Sequence, residues 1–125
     1  MNFIQTFSPL VGRVFISLIF IVTGIGKITG YSGTAAYMDS VGIPGMLLPL
    51  VILLEVGGGL AILLGFKTRL VAFLLAGFCV LSALIFHFDF DNQMQSLMFM
   101  KNIAIAGGFL FLVAFGPGKY AIDNR

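Results

Sequence analysis

The stretch LLPLVILLEVGGGLAILLGF, residues 47–66, decides the fold class of this protein. Its 20 residues are apolar or small except for one carboxylate, Glu55, which is followed after Val56 by three glycines. A helix of this length is about 30 Å long, which matches the hydrocarbon thickness of a bilayer. The stretch therefore predicts a transmembrane helix with an ionisable group near its middle, where a charge is costly and usually functional.

The composition of the whole chain agrees with a membrane protein. Of 125 residues, 59% are hydrophobic, 16 are glycine and only 10% are charged, too few to cover a soluble surface. The basic residues are scattered, so no patch for nucleic acid is predicted. A single cysteine, Cys79, excludes an intramolecular disulfide, and a single histidine, His87, excludes two-histidine haem ligation within one copy.

Four apolar segments have the length of a spanning helix, at about 9–28, 45–66, 69–88 and 98–116. The connections between successive segments are about 16, 2 and 9 residues long, which favours antiparallel packing of neighbouring helices. We therefore expect an all-α membrane protein with four transmembrane helices in an antiparallel up-down bundle, as a single domain over residues 1–125.

The basic residues predict the orientation of this bundle. Five of them fall at the end that carries both termini: Arg13, Lys67, Arg69, Lys119 and Arg125. Lys27 and Lys101 fall toward the other end. By the positive-inside rule, both termini are expected in the cytoplasm of a bacterial or archaeal cell.

Each predicted helix carries small and ionisable residues at helical spacing. The stripes are Arg13, Ser17, Phe20, Gly24 and Lys27 in the first helix; Glu55, Gly58 and Gly59 in the second; Arg69, Phe73, Ala76, Val80, Ala83 and His87 in the third; and Lys101, Ala104, Gly108 and Phe115, with Asn102 beside them, in the fourth. Small residues allow close helix approach in lipid, and ionisable residues turn away from lipid. We expect the four stripes to face one another.

This arrangement predicts an outward-opening polar pocket with Glu55 at its floor. Four polar residues would surround its mouth: Lys27, His87, Lys101 and Asn102. Arg13 could reach Glu55 from the cytoplasmic side, and Phe86 and Phe99 could flank a flat ring. We assign Glu55, His87 and Lys101 to catalysis and the others to ligand binding.

Structural interpretations stay open for the same residues. Glu55 could form an ion pair with Arg13 or Lys101 that only fixes the bundle, and the lysines could extend to the membrane interface. His87 could be an interfacial residue. The HFDFD motif, residues 87–91, contains metal-ligand residue types, but its spacing is nonspecific and no metal site is assigned.

The order of motifs resembles the DoxX family of small bacterial and archaeal membrane proteins. The resemblance covers essentially the whole chain and rests on GRVFISLIFIVTGIGKITGYSGTAAYMDSVGIP, LEVGGGLAILLGFKTRLVA, FH and KNIAIAGGFLFLVAFGPGKYAID. It implies a four-helix inner-membrane protein. Some members resemble membrane subunits of quinone-linked sulfur oxidation, and others are associated with thiol, quinone or oxidative stress. It also implies that Glu55, His87, Lys101 and Asn102 lie in the motifs that would carry a shared activity.

Three functions are compatible with the sequence. The leading hypothesis is a subunit or accessory of a membrane redox system that holds a quinone or similar small redox molecule, working with partner redox subunits or as a homo-oligomer. The second is a small proton-coupled or anion transporter. The third is a structural or assembly protein in the lipid bilayer, in which the polar cluster only fixes helix register.

Overall fold

The computed structural model describes residues 2–124, all of whose regular structure is helical. The α-helices are α1 (Phe3–Thr29), α2 (Tyr31–Ser40), α3 (Leu48–Ile52), α4 (Gly58–Leu64), α5 (Thr68–Phe86) and α6 (Gln93–Phe115). A 3-10 turn (Gly45–Leu47) precedes α3, a π-helical segment (Leu53–Gly57) joins α3 to α4, and a second 3-10 turn (Ile122–Asn124) follows α6.

Four helical stretches are long and apolar enough to cross a membrane. They are Phe3–Thr29, Gly45–Leu64, Thr68–Phe86 and Gln93–Phe115. The prediction of an all-α protein with four spans is therefore confirmed. The antiparallel order and the cytoplasmic placement of both termini stay predictions.

Helices α1 and α6 begin earlier than their apolar segments because polar residues cap them. The Asn2 side chain accepts a hydrogen bond from Gln5 N at 2.8 Å, and the Gln5 side chain accepts one from Asn2 N. The Asn92 side chain likewise accepts from Gln95 N at 3.2 Å. These caps satisfy amide donors that have no partner within the helix.

The short helix α2 was not predicted. It lies in the connection of about 16 residues between the first two apolar segments, and Met38 is its one buried residue. The helix ends at a turn where Gly42 adopts a φ of +88°, a conformation that suits glycine. This helix contributes to the wall of the cavity described below.

Two glycines bring α1 against the second span. A Cβ on Gly24 would lie 2.6 Å from Val56 Cγ2, and a Cβ on Gly59 would lie 2.8 Å from Ile21 Cγ1. Neither position has room for a larger side chain unless its neighbour moves. This close approach confirms the packing role predicted for Gly59.

The predicted stripes are correct for the first two helices and partly wrong for the other two. Arg13, Ser17, Phe20 and Gly24 are buried in α1, as are Glu55, Gly58 and Gly59 in the second span. In α5, by contrast, Phe73 and Val80 are exposed, and the core-facing residues are Thr68, Ala72, Leu75, Ala76, Cys79 and Ala83. In α6 the buried residues are Ala106 and Phe109.

The error in α5 and α6 has a physical reason. Lipid is as apolar as a protein core, so exposed phenylalanine and valine are not disfavoured there and do not mark the buried face. The two helices pack on each other through small residues, and Phe109 of α6 contacts Phe20 of α1 with ring centroids 5.4 Å apart. In α5 most residues of the predicted stripe are one position away from a buried residue, so the stripe lies partly on the wrong face of the helix.

Arg13 ties the end of α4 to the C-terminal segment. Its guanidinium is buried and donates hydrogen bonds to Ile62 O and Leu63 O, both at 3.2 Å, and to Tyr120 O. Gly65, with a φ of +73°, makes this possible, because a Cβ there would lie 2.6 Å from Arg13 Nη1. The last carbonyls of α4 thus gain a cationic donor.

Asp123 caps helix α5 from the other side of the same turn. Its carboxylate accepts hydrogen bonds from Lys67 N at 2.7 Å and Thr68 N at 2.8 Å. Although partial desolvation opposes ionisation, the hydrogen bonds from Thr68 and Lys67 and the charge of Arg13 hold the pKa of Asp123 below its ordinary value. The C-terminal segment is therefore fixed to the start of α5.

Candidate functional site

Glu55 is the centre of the candidate site, and its two oxygens are both engaged. The side chain is 2% exposed. Lys27 Nζ lies 2.6 Å from Oε1, and Thr23 Oγ1 donates to Oε2 at 2.7 Å. A buried carboxylate needs such partners, because desolvation without them costs several kcal/mol.

The partner of Glu55 differs from both alternatives raised by the sequence. Neither Arg13 nor Lys101 pairs with this carboxylate; Lys27 does. Arg13 is held at the far end of α4 by backbone carbonyls, so the expectation that it reaches Glu55 from below is wrong. Lys27 was assigned to the mouth of the pocket, but its long side chain extends one turn back along α1 to Glu55.

Glu55 also sits in an unusual stretch of helix. The turn Leu53–Gly57 is π-helical, with regular α-helix on both sides. A π turn inserts one extra residue into a helix, and such turns occur frequently at functional sites. The helix of this span is continuous but locally widened at its carboxylate.

A cavity of about 390 Å³ adjoins this carboxylate, and we call it the Glu55 cavity. Residues from every span and from α2 line it. They include Phe20, Thr23 and Lys27 of α1; Thr34, Tyr37 and Met38 of α2; Val51 and Glu55 of the second span; Phe78, Cys79, Ser82, Phe86 and His87 of α5 and its end; and Lys101, Asn102 and Ile105 of α6. Its volume falls in the range of about 300–1,000 Å³ typical of small-molecule sites.

Most of the residues assigned from the sequence meet at this cavity. Those that line it are Lys27, Glu55, Phe86, His87, Lys101 and Asn102. Arg13 and Phe99 do not line it. The Phe99 ring instead forms edge contacts with Phe88 and Phe90, at centroid distances of 6.0 and 5.0 Å. The structure gives no support to a ligand-binding role for Arg13 or Phe99.

His87 lies where α5 ends, and its ring is oriented by α6. Its Nδ1 is 2.7 Å from Gln95 Oε1. The amide oxygen of Gln95 accepts a hydrogen bond, so this contact places the proton of a neutral imidazole on Nδ1 and leaves Nε2 as an acceptor. Helix capping fixes Gln95 in turn, because its backbone N–H donates to Asn92.

Lys101 brings a positive charge to the cavity without a carboxylate partner. Its one hydrogen bond within residues 2–124 is to the Met98 sulfur, at 3.4 Å. No ion pair involves it in that part of the chain. A thioether is a weak acceptor, so the ammonium group keeps most of its hydrogen-bonding capacity for another group.

Three further residues that were not predicted from the sequence shape the site. Thr23 precedes Lys27 by one helical turn and belongs to the same face, so the i, i+4 spacing could have identified it. Tyr37 belongs to the unpredicted α2 and packs on Phe86, with ring centroids 5.6 Å apart. Cys79 lines the cavity with a buried free thiol, which no sequence pattern distinguished from packing.

The acidic residues after α5 do not gather around His87. Asp89 accepts a hydrogen bond from Asp91 N at 3.2 Å, as in a loop that caps itself. Within the part of the chain that the structure describes, no group of three or more histidine, cysteine, aspartate or glutamate side chains has metal-binding geometry.

Comparisons with known proteins agree on one class of protein. The family model of DoxX matches residues 8–88. Inner membrane protein YqjF of Escherichia coli (strain K12) is 54% identical over 124 residues, which cover 99% of this chain and 95% of YqjF. Inner membrane protein YphA of the same strain is 37% identical over 123 residues, which cover 93% of this chain and 88% of YphA.

The name of a more distant relative refers to an oxidoreductase activity. CatD of Bacillus subtilis (strain 168), named as a proposed oxidoreductase, is 33% identical over 69 residues, which cover 55% of this chain and 52% of CatD. No solved structure matches the chain significantly. With its four spans and these relatives, the chain is a multi-pass protein of the plasma (inner) membrane.

Proposed function

The chain belongs to the DoxX family of inner membrane proteins, and we propose that it holds a small redox molecule, a quinone or a close analogue, as a subunit or accessory of a membrane redox system. The observation that carries this proposal is the Lys27–Glu55 pair at the wall of an otherwise largely apolar cavity. A ligand of this class needs an apolar space with a few polar groups at fixed positions. The oxidoreductase in the name of CatD is further support.

The residues of the cavity fit a flat, carbonyl-bearing headgroup. Tyr37 and Phe86 present aromatic surface, and Lys101 and Asn102 offer N–H donors. A bound quinone would supply two-electron, two-proton chemistry, with electrons taken from a partner subunit of the redox system. The chain itself would supply orientation, exclusion of water and protons.

The protons would pass through the Lys27–Glu55 pair. In the resting state the carboxylate accepts from Lys27 and from Thr23, so a proton can be held between Lys27 and Glu55 and given to an oxygen in the cavity. Lys101 would donate a hydrogen bond to the second oxygen of the headgroup. His87 Nε2, left as an acceptor by the Gln95 contact, would accept from a hydroxyl.

Binding of a quinone probe to detergent-purified protein tests this proposal. We expect menadione to bind the wild type, and Glu55→Gln to weaken its binding at least tenfold without loss of the folded state. The matched control is Asp91→Asn, which removes a carboxylate from the loop after α5 and should bind menadione like the wild type. Equal menadione affinity of Glu55→Gln and wild type would exclude this role for the carboxylate.

Proton-coupled transport is a second candidate, favoured by one observation. The π segment places irregular helix at a buried carboxylate within a span, and irregular helix inside membranes is typical of substrate and ion pathways. This function predicts substrate-dependent proton uptake in liposomes that Glu55→Gln abolishes. Menadione binding without any proton flux would favour the redox function.

A further inference from the structure

A second cavity lies at the other end of helices α5 and α6. It adjoins the start of α5 and the end of α6, whereas the Glu55 cavity adjoins the end of α5 and the start of α6. We call it the terminal cavity; it has a volume of about 1300 Å³. The lining residues used below are Lys67, Arg69, Leu70, Phe115, Lys119 and Asp123.

The terminal cavity carries an excess of positive charge. Of the described residues that line it, Lys67, Arg69 and Lys119 are cationic and Asp123 is anionic. Both oxygens of that carboxylate already accept hydrogen bonds from the first amides of α5. The one charge of Asp123 cannot balance both Lys67 and Arg69, so the lining keeps a positive excess and favours an anionic ligand.

Arg69 is the side chain best placed to bind such an anion. Its guanidinium lies across Gly116, where a Cβ would be 3.2 Å from Nη2 and 3.3 Å from Nε. Gly116, with a φ of +79°, leaves the space for it. Among residues 2–124, none of the donors of Arg69 has a hydrogen-bond or ion-pair partner, and a guanidinium fork matches phosphate oxygens in geometry.

The rim of the cavity is apolar and lies at the level where a membrane span begins. Leu70 is 58% exposed and Phe115 is 76% exposed, and both line the cavity together with the cations. Lys67 lies in the turn just before α5, with its Nζ 6.0 Å from the centre of the Phe66 ring. An anion bound here would have the ends of two spans and exposed apolar side chains beside it, which is the environment of a phospholipid.

We propose that the terminal cavity binds an anionic diacyl phospholipid, with its phosphate on Arg69 and Lys67 and its acyl chains along Leu70 and Phe115. Basic pockets between transmembrane helices are known physical sites for anionic headgroups. The site is separate from the Glu55 cavity, so it does not depend on the function proposed for that cavity.

Native mass spectrometry of the detergent-purified protein tests the site. Phosphatidylglycerol and phosphatidylcholine with identical acyl chains are added separately, and the retained lipid is measured. We expect tighter retention of phosphatidylglycerol, weakened about fivefold for each basic side chain removed, in Arg69→Gln, Lys67→Gln and the double variant. The control is Asp91→Asn, which changes the charge of a residue that lines neither cavity and should retain phosphatidylglycerol like the wild type.

Three results would overturn the proposal. The first is equal retention of both lipids by the wild type, and the second is unchanged phosphatidylglycerol retention by the double variant. The third is displacement of phosphatidylglycerol by glycerol phosphate at a similar concentration, which would indicate a site for a small phosphate. If a variant does not fold, the wild type alone still tests the proposal. Its preference for phosphatidylglycerol over phosphatidylcholine must fall as the salt concentration is raised, because salt screens the charges of the site.

Discussion

Lys27 Nζ lies 2.6 Å from Glu55 Oε1, although the two residues are 28 positions apart in the sequence. The contact forms because α1 packs directly on the π segment, with Gly24 opposite Val56. Lys27 has a side-chain exposure of 29%, against 2% for Glu55. The pair therefore joins a fully buried anion to a cation that reaches the wall of a cavity.

Removing only the positive charge of Lys27 should destabilise the protein more than removing both charges of the pair. Lys27→Gln leaves a buried carboxylate without its counter-charge, and we expect a loss of about 1–3 kcal/mol in the free energy of unfolding, below the value for fully buried pairs because Lys27 is partly exposed. The double variant Lys27→Gln/Glu55→Gln should lose less than Lys27→Gln alone, and therefore less than the sum of the single variants. Denaturant unfolding in detergent measures all four proteins, and additive losses would show that the pair is not coupled.

The hydroxyl of Thr23 should contribute separately to holding Glu55. Thr23→Val keeps the shape of the side chain but removes the donor to Oε2, which should cost about 1–2 kcal/mol in unfolding free energy. Thr23→Ser keeps the donor and should lose less. If Thr23→Val and Thr23→Ser had equal stability, the hydrogen bond would not hold the carboxylate.

Glycine substitutions should distinguish close helix packing from open surface. Gly24→Ala places a methyl group 2.6 Å from Val56 Cγ2 and 3.2 Å from Glu55 Cβ, so we expect a loss of about 1–3 kcal/mol. Gly107→Ala is the matched control, because a Cβ there meets nothing within 4 Å. Alanine also has the higher helix propensity, so Gly107→Ala should be neutral or stabilising by up to about 1 kcal/mol. Unfolding measurements in one detergent compare the two variants, and equal losses would contradict the packing.

Asp123 should make stability dependent on pH in acid. Hydrogen bonds to its carboxylate lower its pKa in the folded protein, so its contribution is present above the pKa of the unfolded chain and is lost as pH falls through the lower folded value. Asp123→Ala should remove the cap of α5 at a cost of about 1 kcal/mol or less at neutral pH, since the side chain is exposed. Asp123→Asn keeps an acceptor but cannot titrate.

Melting temperatures between pH 3 and 7 provide the measurement for Asp123. The wild type should lose more stability on acidification than Asp123→Asn, and the two curves should approach each other at the lowest pH. Parallel curves for the two proteins would show that this carboxylate does not contribute to acid sensitivity.

The candidate site was partly predictable from residue types and spacing. An ionisable residue in a span turns away from lipid, which predicts that Glu55, Lys27 and His87 meet, and all three line the Glu55 cavity. The same reasoning failed for Arg13, which satisfies backbone carbonyls at the end of α4. Polarity predicts that such a residue is buried, but it does not specify which of several buried acceptors it meets.

The sequence by itself determined the number of spans, because only a continuous helix of about 20 apolar residues satisfies its backbone hydrogen bonds across a bilayer. It also determined that Glu55, Gly58 and Gly59 face other helices. Only the tertiary structure decided that Lys27 is the partner of Glu55, that the helix widens at this carboxylate and that α2 closes one wall of the cavity. These features depend on the register between helices, which close contacts such as those at Gly24 and Gly59 set and which no local pattern along one helix encodes.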